Sequence, residues 1–408
     1  MLIRIDESVI NSIKEKKADN LDLSSDILAL NNLASASKHG NHILFGSVHV
    51  LEFLMKFEPL DLSSKHVYNS LFSTFSFYGS YQQRLKSFIL IKSSTYPLGR
   101  TINDKGQYIF EVPLKYFEHI NSILSTSFLC EDISDYKFYC KLARKYLKEK
   151  KLNMSLEFSF VNGGGNRSGE VYNNLLEESN NISLAIADSD KKYHGCKSGD
   201  TLKLLEASLN KHEKYKITNL VGLNVREKEN LIPPSFYELC TNSSAEKMLE
   251  KLLLIQNSEV HAEKLLYLDI KDGMKVKKMK IKSEESQYFF DMFKDIPHLP
   301  AFALEEIEFH PDNEYIIRGI GNSILKNFTR NVLEDGLEEE LLKMEKLNLD
   351  PEIISIIKKK IEKKNCLFNN IPSYIQTEVI NLCEIIISWG CSYNHPQYTA
   401  GQNSKQIS

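Results

Sequence analysis

Two short acidic clusters in this chain have the residue types and spacing to hold a metal ion. Glu131-Asp132-Ile-Ser-Asp135 follows the apolar run Thr126-Ser-Phe-Leu-Cys, and Asp188-Ser189-Asp190 follows Ile182 to Ala187. Residues two apart on an extended segment point the same way, so Asp188 and Asp190 can share one site. Carboxylates gathered at one rim repel each other unless a hard cation lies among them. Oxygen donors without a neighbouring His or Cys point to Mg²⁺ or Mn²⁺ rather than zinc.

A second set of residues could hold a polyanion. Tyr267-Leu-Asp-Ile, the pair Asp272-Gly273 and Val276 to Ile281 read as a β-hairpin with an Asp-Gly turn. Lys271, Lys275, Lys277, Lys278, Lys280 and Lys282 crowd this stretch against one acid, Asp272. On a strand Lys275 and Lys277 share a face, as do Lys278, Lys280 and Lys282, which predicts a basic ribbon for nucleic acid. The plainer reading is an edge strand guarded against aggregation by lysines. Lys271 is also a candidate to offset charge on a phosphate during reaction. Gly163-Gly164-Gly165, with Arg167 at the following helix start, either presents N–H groups to a phosphate or makes a tight strand-to-helix turn. No Walker A loop and no G-x-S-x-G motif occurs. His39, His42 and His49 lack a carboxylate or thiolate at ligand spacing and read as core or surface residues; Cys383, Cys391 and His395 are similarly loose.

The elements that must position the carboxylates follow from the periodicity. From Ser125 short apolar strands (126–130, 156–161, 182–187) alternate with helices (134–150, 169–178), which predicts an α/β fold with a Rossmann-like parallel sheet. Its crossovers should be right-handed, and ligands gather at the carboxyl ends of such strands. Before it, residues 1–124 read as a mixed α+β domain. It has helices over 24–38 and 48–57, strands over 88–92 and 108–112 closed by Pro113, and a helix over 114–124. Beyond the core, residues 236–395 read as the basic hairpin plus a mostly helical region, with helices over 322–347, 351–364 and 375–389; residues 396–408 read as a frayed tail.

In their order and placement these residues resemble a TOPRIM domain over residues 125–235. That metal-binding module is shared by type IA and II topoisomerases, bacterial primases, small RNA-maturation nucleases and OLD-family nucleases. Its signature is a Glu after the first strand, here Glu131, and an Asp-x-Asp after the third, here Asp188 and Asp190. Arg226-Glu227-Lys-Glu229-Asn230-Leu-Ile-Pro233 resembles the acidic segment that follows in OLD-like nucleases. The resemblance implies phosphodiester hydrolysis with two Mg²⁺ or Mn²⁺ ions ~4 Å apart. Glu131, Asp188 and Asp190 would hold one ion. Asp135 and Glu229 would serve the second, with Glu227 as the alternative to Glu229 and a solvated helix start as the plain reading of both glutamates. OLD proteins carry an ATPase in the same chain; residues 1–124 depart from that plan, so the resemblance implies a separate ATPase or sensor subunit. Standalone TOPRIM effectors of anti-phage defence, such as that of the PARIS system, are similar in kind.

Composition bounds these readings. The chain has 408 residues, 42% hydrophobic and 26% charged, enough apolar material for real cores and too much for disorder. No apolar run approaches the 18 or so residues of a membrane span, and the first residues lack a signal-peptide pattern, so the expected setting is the cytoplasm without a membrane partner. Seven scattered cysteines without a C-x-x-C pair read as free thiols. The net charge of −3 is then the sum of an acidic rim and a lysine-rich stretch. DNA is the first expected substrate and RNA, tRNA included, the second; a non-catalytic interaction subunit is the reading from another class. A topoisomerase would need strand-passage domains and a primase a zinc module, and neither is evident. A homo-oligomer is compatible with the sequence.

Overall fold

The computed structural model describes all residues except 179, 241–242, 297–298, 300–303, 322, 348–350 and 394–408. The predicted tail, His395 and the first residue of the predicted 322–347 helix lie outside the described residues. The chain is mixed α/β with a parallel-sheet core. It divides into two compact units, one built from residues 1–186, 204–221 and 382 onward, the other from 187–203 and 222–381.

The first unit holds a five-stranded sheet made of β1 (Leu2–Ile5), β2 (Ile43–Gly46), β3 (Ser87–Lys92), β4 (Gly99–Ile102) and β5 (Tyr108–Pro113), in the order β2-β1-β3-β5-β4. The β1–β2, β1–β3 and β3–β5 pairs are parallel; β4 runs antiparallel to β5 at one edge. Ile43-Leu-Phe-Gly is buried throughout and Ser87-Phe-Ile-Leu-Ile-Lys nearly so, as strands covered on both faces require. The predicted helix over 24–38 forms between Ser24 and Lys38, and that over 48–57 between Val48 and Lys56. The helix predicted over 114–124 does not form. Two 3₁₀ turns, Leu114–Glu118 and Ile120–Ile123, flank an extended His119, and the Asn32 amide donates to the Phe117 and Glu118 carbonyls that an α-helix would use internally.

A second, four-stranded sheet contains β6 (Thr126–Cys130), β8 (Phe158–Asn162), β9 (Ser183–Ala187) and β10 (Thr218–Gly222), in the order β10-β9-β6-β8. β6 pairs in parallel with both β8 and β9. The run expected as one strand over 156–161 is broken, with β7 (Ser155–Leu156) separate from β8 and paired antiparallel with β13 (Cys391–Ser392). The amphipathic helix between β6 and β8 spans Ile133–Glu149 and buries Phe138, Tyr139, Leu142 and Tyr146. His42 takes a core role: its Nε2 meets the Leu124 carbonyl at 2.9 Å, and burial pushes its pKa well down. All seven cysteines are free.

The second unit is mostly helical, as expected for this stretch, but the basic hairpin does not form. β11 (Gly273–Lys275) is three residues long and pairs antiparallel with β12 (Tyr315–Arg318), while Val276–Lys280 is a short helix. Val276 and Met279 supply the reason: they are three apart, both buried, and only a helix puts them on one face. The Asp-Gly turn is present but serves the other pairing. The Asp272 N–H donates to the Asp269 carboxylate, and Gly273 (φ +81) lies where a Cβ would sit 2.3 Å from the Ile317 carbonyl oxygen. The lysines therefore do not line one ribbon.

Candidate catalytic site

The chain runs from β6 to β8 on one side and returns across the sheet to β9 on the other, so strand order reverses between β6 and β9. In open α/β sheets ligands bind outside the carboxyl ends at such a reversal. Glu131 directly follows β6 and Asp188 directly follows β9 in the chain.

In the first unit the acidic segment starts a helix. The Asp132 side chain accepts from the Ser134 and Asp135 N–H groups, and Asp135 Oδ2 accepts from the Asp132 N–H at 3.3 Å, a reciprocal capping box. Asp135 is buried, 5% exposed, and also takes the Ser134 hydroxyl at 3.4 Å. Its observed role is thus to close the helix start. The glycines make the tight turn. Gly163 N–H donates to the Cys130 carbonyl (2.8 Å) and Gly164 N–H to the Glu131 carbonyl (3.0 Å), prolonging the β6–β8 pairing past its end. A Cβ at Gly163 would lie 2.6 Å from Ser168 Oγ, and Gly164 and Gly165 are left-handed. Arg167 is exposed, with Glu170 3.4 Å from its Nε.

In the second unit the acidic segments are tied to one another through the backbone. Ser189 is fully buried and its hydroxyl donates to the Val225 carbonyl at 2.6 Å, which pins the Asp188–Asp190 segment beside residues 225–228. Asp188 Oδ1 accepts the Lys228 backbone N–H at 3.1 Å. Asp190 N–H donates to the Arg226 carbonyl, and its own φ of +54 shows that the segment is not extended there. Burial and then the Glu227 charge push the Asp190 carboxyl upward against the pull of Arg226 and Lys192. Solvent reaches Asp190, so screening weakens this. Glu229 is only 7% exposed; burial raises its pKa, Glu227 adds to that, and Lys228 and Lys271 oppose it. Lys271 Nζ lies 3.5 Å from Glu227 Oε2; burial disfavours its charge, but Glu227 and Glu229 raise its pKa on balance. The structure thus brings Lys271 to Glu227 and Glu229, whose sequence positions are some forty residues away.

The remaining lysines mostly have partners. Lys278 pairs with Glu285 at 3.5 Å, Lys280 with Asp312 at 2.9 Å, and Lys275 sits over the Tyr315 ring at 5.1 Å; Lys277 and Lys282 are exposed.

Three residues of this region carry weight that sequence reasoning did not assign. Arg226 pairs with Asp269 (2.9 Å) and Glu227 (3.2 Å), and its Nη1 is buried without a hydrogen bond. Asp269 in turn fixes the Asp272 turn. Gly199 lies so close to Asp190 that a Cβ would sit 2.3 Å from its Oδ2; the glycine before a helix start was the available signal.

For a divalent cation the donor chemistry fits, since the side chains are carboxylates and Glu229 is buried beside the charge of Glu227. Among the described residues no three His, Cys, Asp or Glu side chains converge at metal-holding distance. No helix among the described residues is long and apolar enough to cross a membrane. No protein-family model, curated protein or solved structure matches this chain.

Proposed function

We propose that this protein is a divalent-metal-dependent nuclease of the TOPRIM, OLD-like type, acting on DNA, in which a partner subunit with ATPase or sensor activity controls a toxic antiviral effector. The observation that carries the reading is that Glu131 and Asp188 directly follow β6 and β9, adjacent parallel strands at which strand order reverses. Bound Mg²⁺ or Mn²⁺ would supply an activated water and charge relief for the phosphate. Glu131, Asp188, Asp190 and Glu229 would hold the ions. Lys271, kept cationic by Glu227 and Glu229, would offset phosphate charge, and Arg226 fixes Glu227 against Asp269.

The test is cleavage of plasmid DNA and of total tRNA with Mg²⁺ or Mn²⁺. Glu131→Ala and Asp188→Ala should each lower the rate by about a hundredfold or more. Equal rates in parent and variants would remove the assignment; tRNA cleavage without DNA nicking would move the substrate to RNA.

A further inference from the structure

Unpaired positive charge gathers around a hairpin other than the one the lysine run foretells. In the first unit β4 and β5 form an antiparallel edge hairpin with Arg100 opposite Phe110 and Ile102 opposite Tyr108. A groove of about 480 Å³ at its open end is lined by Arg100, Lys214 and Lys216 against one acid, Glu213. The Arg100 guanidinium lies 4.6 Å from the Tyr108 ring centre and 5.2 Å from that of Phe110, and Tyr108 is itself exposed. At the turn end a groove of about 390 Å³ is lined by Arg84, Lys86, Lys105 and Lys150. Its one carboxylate, Glu384, is already satisfied by Lys86 at 3.1 Å and by the Tyr146 hydroxyl at 3.1 Å. Arg84, Arg100, Lys105, Lys150 and Lys214 have no carboxylate within ion-pair distance among the described residues. Asp104, on the same turn, lines neither groove.

The scaffold under these cations is fixed. Gln107 is buried, and its amide donates to the Gln82 and Leu85 carbonyls at 2.6 Å each, while Asn103 Oδ1 accepts the Lys105 and Gln107 N–H groups at 3.0 Å. Phe110 stands edge-on to Trp389 at 5.4 Å. A third groove, by Lys14, Lys17 and Lys56, lacks this character: it is also lined by Glu52 and Glu58, and Glu52 pairs with Lys56.

We infer that the β4–β5 hairpin is a nucleic-acid-binding element whose two basic grooves take the sugar-phosphate backbone while Tyr108 and the stacked Arg100 offer a face for a base. Unpaired cations give affinity for phosphates, and an exposed ring beside a stacked guanidinium is the pairing used for single-stranded bases. That second feature favours nucleic acid over an acidic peptide.

The experiment is fluorescence anisotropy of the full chain with labelled tRNA and labelled DNA duplex, in EDTA, across a salt series. Arg100→Glu with Lys214→Glu, and separately Arg84→Glu with Lys105→Glu, should weaken binding about tenfold or more and flatten the log–log salt slope by about one to two. Lys277→Glu with Lys282→Glu should stay within about twofold of the parent. Each variant is checked by thermal unfolding, and Gln replaces Glu wherever the midpoint falls. The inference is overturned if the hairpin variants bind as the parent does, if the Lys277 and Lys282 variant loses as much, or if an acidic peptide of equal charge displaces the nucleic acid equally well. Because no cleavage is read, this result and that of the carboxylate variants are separable.

Discussion

The carboxylates that follow β6 and those gathered around Arg226 are held in opposite ways. Asp132 and Asp135 are satisfied locally, by the N–H groups and hydroxyl of the helix they begin. Asp190 and Glu229 face burial and the charge of Glu227, with Arg226, Lys228 and Lys271 as partial relief. A carboxylate at a helix start is stabilised by its own backbone; one on an irregular segment beside other acids stays electrostatically loaded. The lesson is that acidic spacing alone does not distinguish a carboxylate satisfied as a cap from one left under electrostatic load, and the surrounding backbone does.

The comparison can be broken most forcefully with metal. On the proposed reading, in which Mn²⁺ binds the folded chain alone, about a hundredfold excess over its Kd should stabilise the parent by about 2.7 kcal/mol. That gain should vanish in Asp190→Asn and persist in Asp132→Asn, as read by thermal unfolding and by calorimetry; equal gains in both would erase the distinction. Next in size is the cap itself. Asp132→Ala should cost about 1 kcal/mol in denaturant unfolding while Mn²⁺ affinity is kept, and a lost affinity would move Asp132 into the metal-binding set. Smallest is the load on Glu229. Its folded pKa lies above the unfolded value, so its contribution is fully present below the unfolded pKa and is lost as pH rises through the folded one. Glu229→Gln should therefore be more stable than the parent at pH 8, by less than the cap variant loses, and the gap should close on acidification. A variant that is less stable at pH 8 would show that Glu229 makes a bond worth more than its burial costs.

Much of the sheet was legible because buried parallel strands are continuous apolar runs. Thr126 to Cys130 and Ser183 to Ala187 announce themselves in this way, and the acids that follow mark their carboxyl ends. β1, β2 and β10 escaped notice since Leu2–Ile5 and Ile43–Gly46 are four residues each and Thr218–Gly222 has only part of its surface buried. The lysine stretch was misread because alternating Lys and apolar residues imitate a strand, while the decisive spacing, Val276 to Met279, is helical. Within the site, the left-handed φ of Asp190 and its contact with Gly199 depend on tertiary packing that no local pattern encodes. Arg226 is visible as a residue, but its partners Asp269 and Glu285 lie tens of positions away.

The strand pair β7–β13 has a consequence for when this protein can exist. The Thr126 hydroxyl at the start of β6 donates to the Trp389 carbonyl, 263 positions later, and Glu157 N–H donates to the Gly390 carbonyl. Phe158 fits against Gly390 so closely that a Cβ there would lie 2.1 Å from its ring. At roughly 5–20 residues per second a ribosome needs about 13–50 s to travel from Thr126 to the segment that completes its surroundings. The first unit is therefore finished only after the second has been synthesised, and a nascent chain stalled before residue 382 carries Glu131 on an unclosed scaffold. On the proposed reading as a nuclease, that order of events would keep a partly made chain from acting.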